Sequence, residues 1–277
     1  MKLSQHIKDN LNLSFPIMIS QLGHITVGVA DSLMIGNVSI PQLAAVSLST
    51  SIFGFILLFC IGLSYGITPL IASKKSDKNY ISMTFYNGMY LNMFFTILLV
   101  IITIYSKYLL QYLGQDEEVL FHTFRYLDII AISLVPLMLF QTFKQFIEGL
   151  GFTKPAMYIS IFSNVINIIL NAILIFGLFG FPRLEIVGAA YATLISRILM
   201  FIIIFIYCLN SKRFQEYILR LNISFNYTSF RAIFGIGFTS GLQYIFEVGA
   251  FTVATVIIGS IGACLLYTSP SPRDKRL

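Results

Sequence analysis

Seven apolar stretches run along this chain, each at least the roughly 20 residues that a helix needs to cross the hydrocarbon core of a bilayer. In chain order they are Leu13–Ile35, Leu43–Ala72, Met83–Tyr105, Phe121–Ile147, Pro155–Phe179, Ile186–Leu209 and Ser229–Ala263. Because a bilayer holds no water for unpaired backbone groups, such stretches must be helical, and they are too long and too evenly apolar for barrel strands. The pattern predicts an all-α, polytopic membrane helix bundle.

The charged residues predict how this bundle is oriented. They make up only 11% of the chain, against 57% hydrophobic residues and a mean hydropathy of +0.83, whereas soluble domains carry about 25% charged residues. Lys and Arg concentrate at the N-terminus and in alternate loops, chiefly Lys74, Lys75, Lys78, Lys212, Arg213 and Arg220, and Lys144 and Lys154 stand at the edges of the fourth loop. The positive-inside rule therefore predicts a cytoplasmic N-terminus. The net charge of +6 is then an orientation signal, and no nucleic-acid partner is predicted.

Two carboxylates, Asp31 and Glu247, interrupt these apolar stretches. A charge at the centre of a bilayer costs about 2.5–3.5 kcal/mol on insertion scales, so such acids usually face a bundle interior and handle ions, protons or cationic ligands. Asp31 lies a turn from the end of its span, which leaves a solvated helix-end carboxylate as the alternative. Glu247 lies mid-span beside Tyr244 and Phe246, an environment that suits a hard cation such as Na⁺ or a lipophilic organic cation. We predict that both acids couple cations: protons, or Na⁺ bound at Glu247 or Asp31.

Three asparagines in the fifth span follow helical spacing. Asn164, Asn167 and Asn171 stand at i, i+3 and i+7, and so share one helix face. Hydrogen bonding between helices is one interpretation. The other is a polar cavity wall that bonds to Asp31 and supplies oxygen ligands or a proton relay, and Gln21 of the first span is assigned to the same wall.

Several residues have both a structural and a functional interpretation. Pro16 removes one backbone hydrogen bond from the first span and permits a helix bend, although membrane helices tolerate proline generally. Glu148, Lys154 and Pro155 mark a turn between spans, where helix termination is preferred over gating. Arg197 is the one base identified well inside a span, and a structural partner for an internal carboxylate or carbonyl is its expected role.

Glycine and cysteine positions add packing information. Gly62 with Gly66, and Gly237 with Gly241, fit small-xxx-small helix contacts. His24, one turn from Gln21, is expected to be a packing and hydrogen-bonding residue. No metal or disulfide spacing is present in the cysteine pattern, so neither a disulfide nor a cofactor is predicted beyond a coupling ion.

The chain divides into four parts. Residues 1–209 form a six-span lobe, 210–228 a polar cytoplasmic linker, and 229–263 the first span of a second lobe. Residues 264–277 change abruptly to a Pro-, Ser- and Arg-rich tail that resembles a translated sequencing adaptor. We expect biological sequence to end near Ala263 and the gene to continue.

The chain resembles the multidrug and toxic compound extrusion (MATE) transporters, most closely the NorM type. The motifs that carry the resemblance are the segments 29–36, 43–47, 146–157, 187–193 and 246–248, together with the three asparagines. Among these, Phe146 to Met157, which reads FIEGLGFTKPAM, is the most specific.

The resemblance implies a monomeric, twelve-span antiporter with two six-helix lobes in a bacterial plasma (inner) membrane. It would export bulky, often cationic organic compounds in exchange for inward Na⁺ or H⁺ by alternating access. The family's functional acids in the first and seventh spans match Asp31 and Glu247, and its fifth-span polar positions match Asn167 and Asn171.

Two other functional classes fit the sequence less well. A lipid-linked oligosaccharide flippase of the same superfamily would need several bases in its cavity, and Arg197 is the only deep one identified. An intramembrane enzyme would need paired acids, HExxH or a Ser/His set, and no span contains them, so the chain is predicted not to be an enzyme.

Overall fold

The computed structural model describes residues 3–114, 116–219 and 225–261, and all regular secondary structure within them is helical. The α-helices are α1 (Leu3–Gly36), α2 (Ile40–Ser64), α3 (Ile67–Ser73), α4 (Lys78–Leu110), α5 (Glu117–Ile132), α6 (Leu134–Gly149), α7 (Lys154–Phe176), α8 (Glu185–Asn210), α9 (Lys212–Ile218) and α10 (Tyr227–Ile261). The expected all-α fold is confirmed.

Six helical segments within the described residues are long and apolar enough to cross a membrane. They are Leu13–Gly36, Ile40–Ser73, Lys78–Leu110, Glu117–Gly149, Lys154–Phe176 and Glu185–Asn210, and they match the first six predicted spans. Two of them are broken helices, because α2 gives way to α3 and α5 to α6. The seventh predicted span falls on α10, and its last two residues, like the tail 264–277, lie outside the described part of the chain.

Helix caps explain why several helix ends differ from the predicted spans. The second span was predicted to start at Leu43, but α2 begins earlier because the Ser39 hydroxyl accepts a hydrogen bond from the Gln42 N–H at 3.3 Å. The fifth was predicted to reach Phe179, but α7 stops sooner because Gly177 adopts a left-handed conformation with φ 72°. Hydropathy locates the part of a helix in the bilayer, whereas caps decide where the helix itself ends.

The surface of the bundle is apolar and its interior holds polar side chains. On α1, Leu22, Ile25, Val29 and Leu33 recur at helical spacing and are each more than half exposed. Small polar side chains, by contrast, are buried throughout the interior, among them Ser49, Asn87, Asn92, Thr96 and Thr142. Apolar surface with hydrogen-bonding side chains between helices is the arrangement expected in a membrane.

Helix α10 packs against α2 through glycines. A Cβ atom placed on Gly237 would lie 2.2 Å from the carbonyl oxygen of Leu63, and one on Gly62 would lie 2.5 Å from the Cα atom of Gly241. The two glycine pairs singled out in the sequence thus lie where the helices cross. Only residues without a side chain permit so close a backbone approach.

The predicted linker contains a docked helix. On α9, the Phe214 ring is fully buried and contacts the rings of Phe146 and Phe152. Lys78 at the start of α4 forms an ion pair with Glu216 at 2.7 Å. Helix α9 therefore packs on the bundle end where α1, α4 and α7 begin, which we call the N-terminal face.

Candidate functional site

Asp31 lies inside the bundle, where α1 meets α7. Its side chain is only 8% exposed, and its carboxylate Oδ1 accepts a hydrogen bond from the amide nitrogen of Asn171. The same amide nitrogen lies 3.1 Å from Oδ1 of Asn167, one turn earlier on α7. The structure thus brings Asp31 together with two of the three predicted asparagines.

Helix α8 completes this polar group. The Asn167 amide nitrogen donates to the Ser196 hydroxyl at 3.0 Å and lies 3.4 Å from the Thr193 hydroxyl. We call Asp31, Asn167, Asn171, Thr193 and Ser196 the Asp31 cluster. The sequence does not single out Thr193 and Ser196 as site residues, because small hydroxyl residues are common in membrane helices. Their i, i+3 spacing on a span next to the asparagine face was the available signal.

Arg197 supplies the positive charge near the cluster. Its guanidinium interacts electrostatically with Asp31 and Tyr126, its Nη1 donates to the Ser133 hydroxyl at 2.6 Å, and its Cζ lies 5.7 Å from the centre of the Phe53 ring. A buried charge needs such compensation. These contacts place Arg197 as a partner of an internal carboxylate and of a hydroxyl at the α5–α6 break.

The Asp31 cluster offers hard oxygen ligands. A carboxylate, amide oxygens and hydroxyls are the donors that Na⁺ accepts, and a carboxylate also binds a proton. The Asn171 Oδ1 is buried without a hydrogen-bond partner among the described residues, so one acceptor is free. No group of three or more His, Cys, Asp or Glu residues that could hold a metal ion occurs in the described part of the chain.

A second candidate site lies nearer the N-terminal face. It is a pocket of 680 Å³ between α1, α3, α6 and α10, lined partly by apolar residues such as Met18, Leu22 and Pro69. Its polar and aromatic lining residues are Gln21, Tyr65, Lys144, Gln145, Glu148 and Tyr244. We call it the Glu148 pocket. Its size suits a small organic molecule.

Lys144 is the functional candidate that sequence reasoning missed. It was treated as a loop-edge charge, but it lies inside α6 and is 1% exposed. Its ammonium group lies 3.4 Å from the Ser20 hydroxyl and interacts electrostatically with Glu148, one turn further along α6. Arg197 is therefore one of at least two deep bases. The signal was the polar face of α6, where Gln141, Lys144, Gln145 and Glu148 follow helical spacing.

Gln21 and Asn164 lie apart from the Asp31 cluster. Gln21 donates to the Tyr65 hydroxyl at 2.8 Å and lines the Glu148 pocket. Asn164 lies on the expected face of α7, but its amide nitrogen is buried beside Gly23 of α1 without a partner among the described residues. The predicted single polar wall is thus divided between two regions.

The other predicted site residues occupy varied positions. Pro16 is buried within an uninterrupted α1. Pro155 stands in the first turn of α7, beside an exposed Lys154, which suits a helix start. Glu148 faces the pocket. Glu247 is exposed on α10, although Tyr244, one turn before it, lies against Tyr65 with ring centres 5.8 Å apart.

Comparison with known proteins gives a consistent result. Residues 16–173, more than half of the chain, match the MatE family. The chain is 32% identical over 94% of its length to a probable multidrug resistance protein NorM of Photorhabdus laumondii, and 30% identical over 92% to the multidrug resistance protein NorM of Photobacterium profundum. It spans 57% of each of these relatives, so it is little more than half as long as they are.

Solved structures agree on the fold. A crystal structure of MATE in the bent conformation superimposes with a TM-score of 0.81 at 25% identity, covering 91% of this chain and 56% of that one. A MOP superfamily transporter from Pyrococcus furiosus, described as having a binding pocket of reversed polarity, gives a TM-score of 0.79 at 23% identity, with the same coverage.

Proposed function

This chain belongs to the MatE family, and on that premise we propose that it forms one lobe, and the start of another, of an antiporter that exports bulky, often cationic compounds. Inward Na⁺ or H⁺ would drive the export. The observation that carries the proposal is the buried Asp31, held by Asn171 inside a multi-pass membrane bundle. Relatives named for multidrug resistance support the same class of substrate.

Asp31 is proposed to bind the coupling ion. Asn167 and Asn171 would supply amide oxygens to Na⁺ or hold the carboxylate when a proton binds instead. Since Arg197 is nearby, the cluster is close to neutral when Asp31 is ionised, and loading a cation changes its net charge. A change of local charge is what can bias a transporter between two conformations.

Glu247 and the Glu148 pocket are proposed to meet the exported compound. Glu247 is exposed on α10, and the neighbouring Tyr244 and Tyr65 provide aromatic faces beside the pocket. Carboxylates with aromatic rings attract lipophilic cations through charge and cation–π contacts. The N-terminal face would lie on the cytoplasmic side of a bacterial inner membrane. The working unit would be a monomer.

The buried Lys144 bears on the flippase alternative, because a flippase cavity would need several deep bases and Lys144 is one in addition to Arg197. A pyrophosphate headgroup requires an excess of positive charge. Lys144, however, has Glu148 one turn away, and Arg197 has Asp31 nearby. Each base is therefore balanced by an acid, and the charge pattern favours a cation exporter.

The test is ethidium efflux from a pump-deficient host that expresses the complete gene, measured in Na⁺ and in Na⁺-free buffer. We expect Asp31→Asn and Glu247→Gln each to reduce efflux to the level of the empty host. Dependence of the wild type on Na⁺ would identify the ion, and persistence without Na⁺ would favour H⁺.

Matched controls lie on the opposite end of the bundle. Asp128→Asn changes an exposed carboxylate that pairs with Lys107, and Glu118→Gln changes an exposed residue of the first turn of α5. Both should leave efflux unchanged. Wild-type protein that moves no tested cation, or site variants that work normally, would contradict drug export.

A further inference from the structure

Helices α1 and α7 run parallel and in register. Asn171 bonds to Asp31, a separation of 140 residues. Nearer the N-terminal face, a Cβ atom on Gly23 would lie 2.6 Å from the amide nitrogen of Asn164. These two residues are separated by nearly the same number of positions in the sequence. Each residue of α1 therefore lies beside the α7 residue about 140 positions later in the chain.

This register aligns polar residues along the interface. Ser20, His24 and Asp31 stand at i, i+4 and i+11 and share one face of α1. Their counterparts on α7 are Ser160, Asn164 and Asn171. The interface thus has three polar levels over eleven residues, or about 16 Å of helix. We call it the α1–α7 seam.

The lower two levels of the seam contain polar atoms whose hydrogen bonds are not made by the described residues. These buried, unpartnered atoms are Nε2 of His24, Oγ of Ser160, Oγ of Ser163 and Nδ2 of Asn164. Buried polar atoms in folded proteins are nearly always hydrogen-bonded to protein or to ordered water. Four such atoms along one interface indicate water, because a buried water makes two to four bonds to groups of this kind.

The seam ends at polar regions on both sides. At one end is the Asp31 cluster. At the other, the Lys144 ammonium lies 3.4 Å from the Ser20 hydroxyl, and Gln145 on the same face of α6 also has an unpartnered buried amide nitrogen. Lys144 and Gln145 both line the Glu148 pocket. Polar groups therefore extend from Asp31 to the pocket.

His24 lies between the two ends. The charged groups that act on its ring are Lys144 from the pocket side and Arg197 from the cluster side. Beyond them lie Glu148 and Asp31, with Tyr126 beside Asp31. A neutral imidazole has one N–H donor and one acceptor nitrogen, so it can continue a hydrogen-bonded water file in both directions.

We propose that the α1–α7 seam holds a file of water that conducts protons between Asp31 and the Glu148 pocket, with His24 as the positioning residue at its midpoint. Protonated Asp31 gives its proton to the first water and becomes a carboxylate. Successive transfers along the file release one proton into the pocket, and a new proton restores the acid. The proposal deepens the proposed function by choosing H⁺ and its route.

The water file is tested on the complete protein in lipid nanodiscs by X-ray hydroxyl-radical footprinting. We expect the His24 ring to be oxidised at a rate comparable with His122, which lines a pocket at the opposite end of the bundle. The Phe85 ring, buried against Phe143 and Phe146, is the dry control. Protection of His24 equal to that of Phe85 would overturn the proposal.

Proton conduction is tested by infrared spectroscopy on the protein reconstituted in liposomes. The pH is changed rapidly on the side of the membrane that the protein's N-terminal face contacts. The carboxyl band of Asp31, identified by its loss in Asp31→Asn, reports protonation without any exported compound. We expect His24→Leu to slow this step roughly a hundredfold, the lower end of what a positioned proton-transfer group contributes. His24→Gln, which still bonds to water, should be slowed much less, and His122→Leu not at all.

A wild-type rate in His24→Leu would overturn the route even if ethidium export succeeds. Conversely, slow protonation in His24→Leu with no export of any tested cation would support the route and contradict drug export. The two proposals can therefore fail separately.

Discussion

Asp31 and Glu247 occupy similar sequence contexts but different environments. Each is the single carboxylate of its predicted apolar span. Asp31 is 8% exposed and bonded to Asn171, whereas Glu247 is exposed and follows Phe246, which is 72% exposed. In this chain, which spans 57% of the relatives it matches, α7 and α8 surround Asp31, whereas α10 packs on α2 through the face that carries Gly237 and Gly241. An acid in a membrane helix becomes a closed site only when neighbouring helices supply its partners.

The largest effect is expected from a substitution that pushes α10 away from α2. Gly237→Leu places a side chain where a Cβ alone would lie 2.2 Å from a backbone oxygen of α2, so α10 must move and carry Glu247 with it. We expect the free energy of unfolding to fall by about 3 kcal/mol or more, at the upper end of what overpacking costs. Thermal unfolding followed by dye labelling of the buried thiols of Cys60 and Cys208 measures it.

Gly235→Ala is the matched control for that change. A Cβ atom on Gly235 would meet nothing within 4 Å, and alanine favours the helix. This variant should melt at or slightly above the wild-type temperature. Equal melting of Gly237→Leu and wild type would show that the glycine contact does not hold α10 in place.

A smaller effect is expected within the Asp31 cluster. Asn171→Leu removes the donor to a buried carboxylate, which should cost about 1–3 kcal/mol. In an Asp31→Asn background the carboxylate charge is already gone, so the same change should cost less. A double-mutant cycle of melting temperatures measures this coupling. Strictly additive effects would mean that the hydrogen bond contributes nothing to stability.

The smallest effect is expected at the exposed acid. In the 277-residue chain, Glu247→Gln should change stability by no more than about 0.5 kcal/mol, as for most surface substitutions. The melting temperature of the same purified variant checks this. A large destabilisation would indicate that Glu247 has partners in the folded protein and would remove the contrast with Asp31.

Much of the Asp31 cluster could be predicted from local patterns. The i, i+3, i+7 asparagines define a helix face whatever surrounds it, and an acid in an apolar stretch already indicates an interior position. Asn164 and Gln21 were grouped with this site because periodicity gives the face of a helix. Periodicity does not show which neighbouring helix each residue of that face contacts.

Lys144 shows the opposite case. A base near the end of a span is expected to extend to the interface, and hydropathy ended the span at Ile147. In the structure α6 continues to Gly149 and turns Lys144 toward Ser20 of α1. The direction of that side chain depends on how α6 packs, which no local pattern contains.

The sequence by itself determined the helical class, the first six spans, the paired glycines and the acid in the first span, because helix period and the cost of burying polar groups in lipid act locally. Only the tertiary structure decided that Asp31 is enclosed by α7 and α8, that Lys144 lies beside a pocket, and that α1 and α7 align in register. Those features depend on contacts between residues far apart in the chain, where side-chain packing and hydrogen bonds choose among arrangements that share the same local pattern.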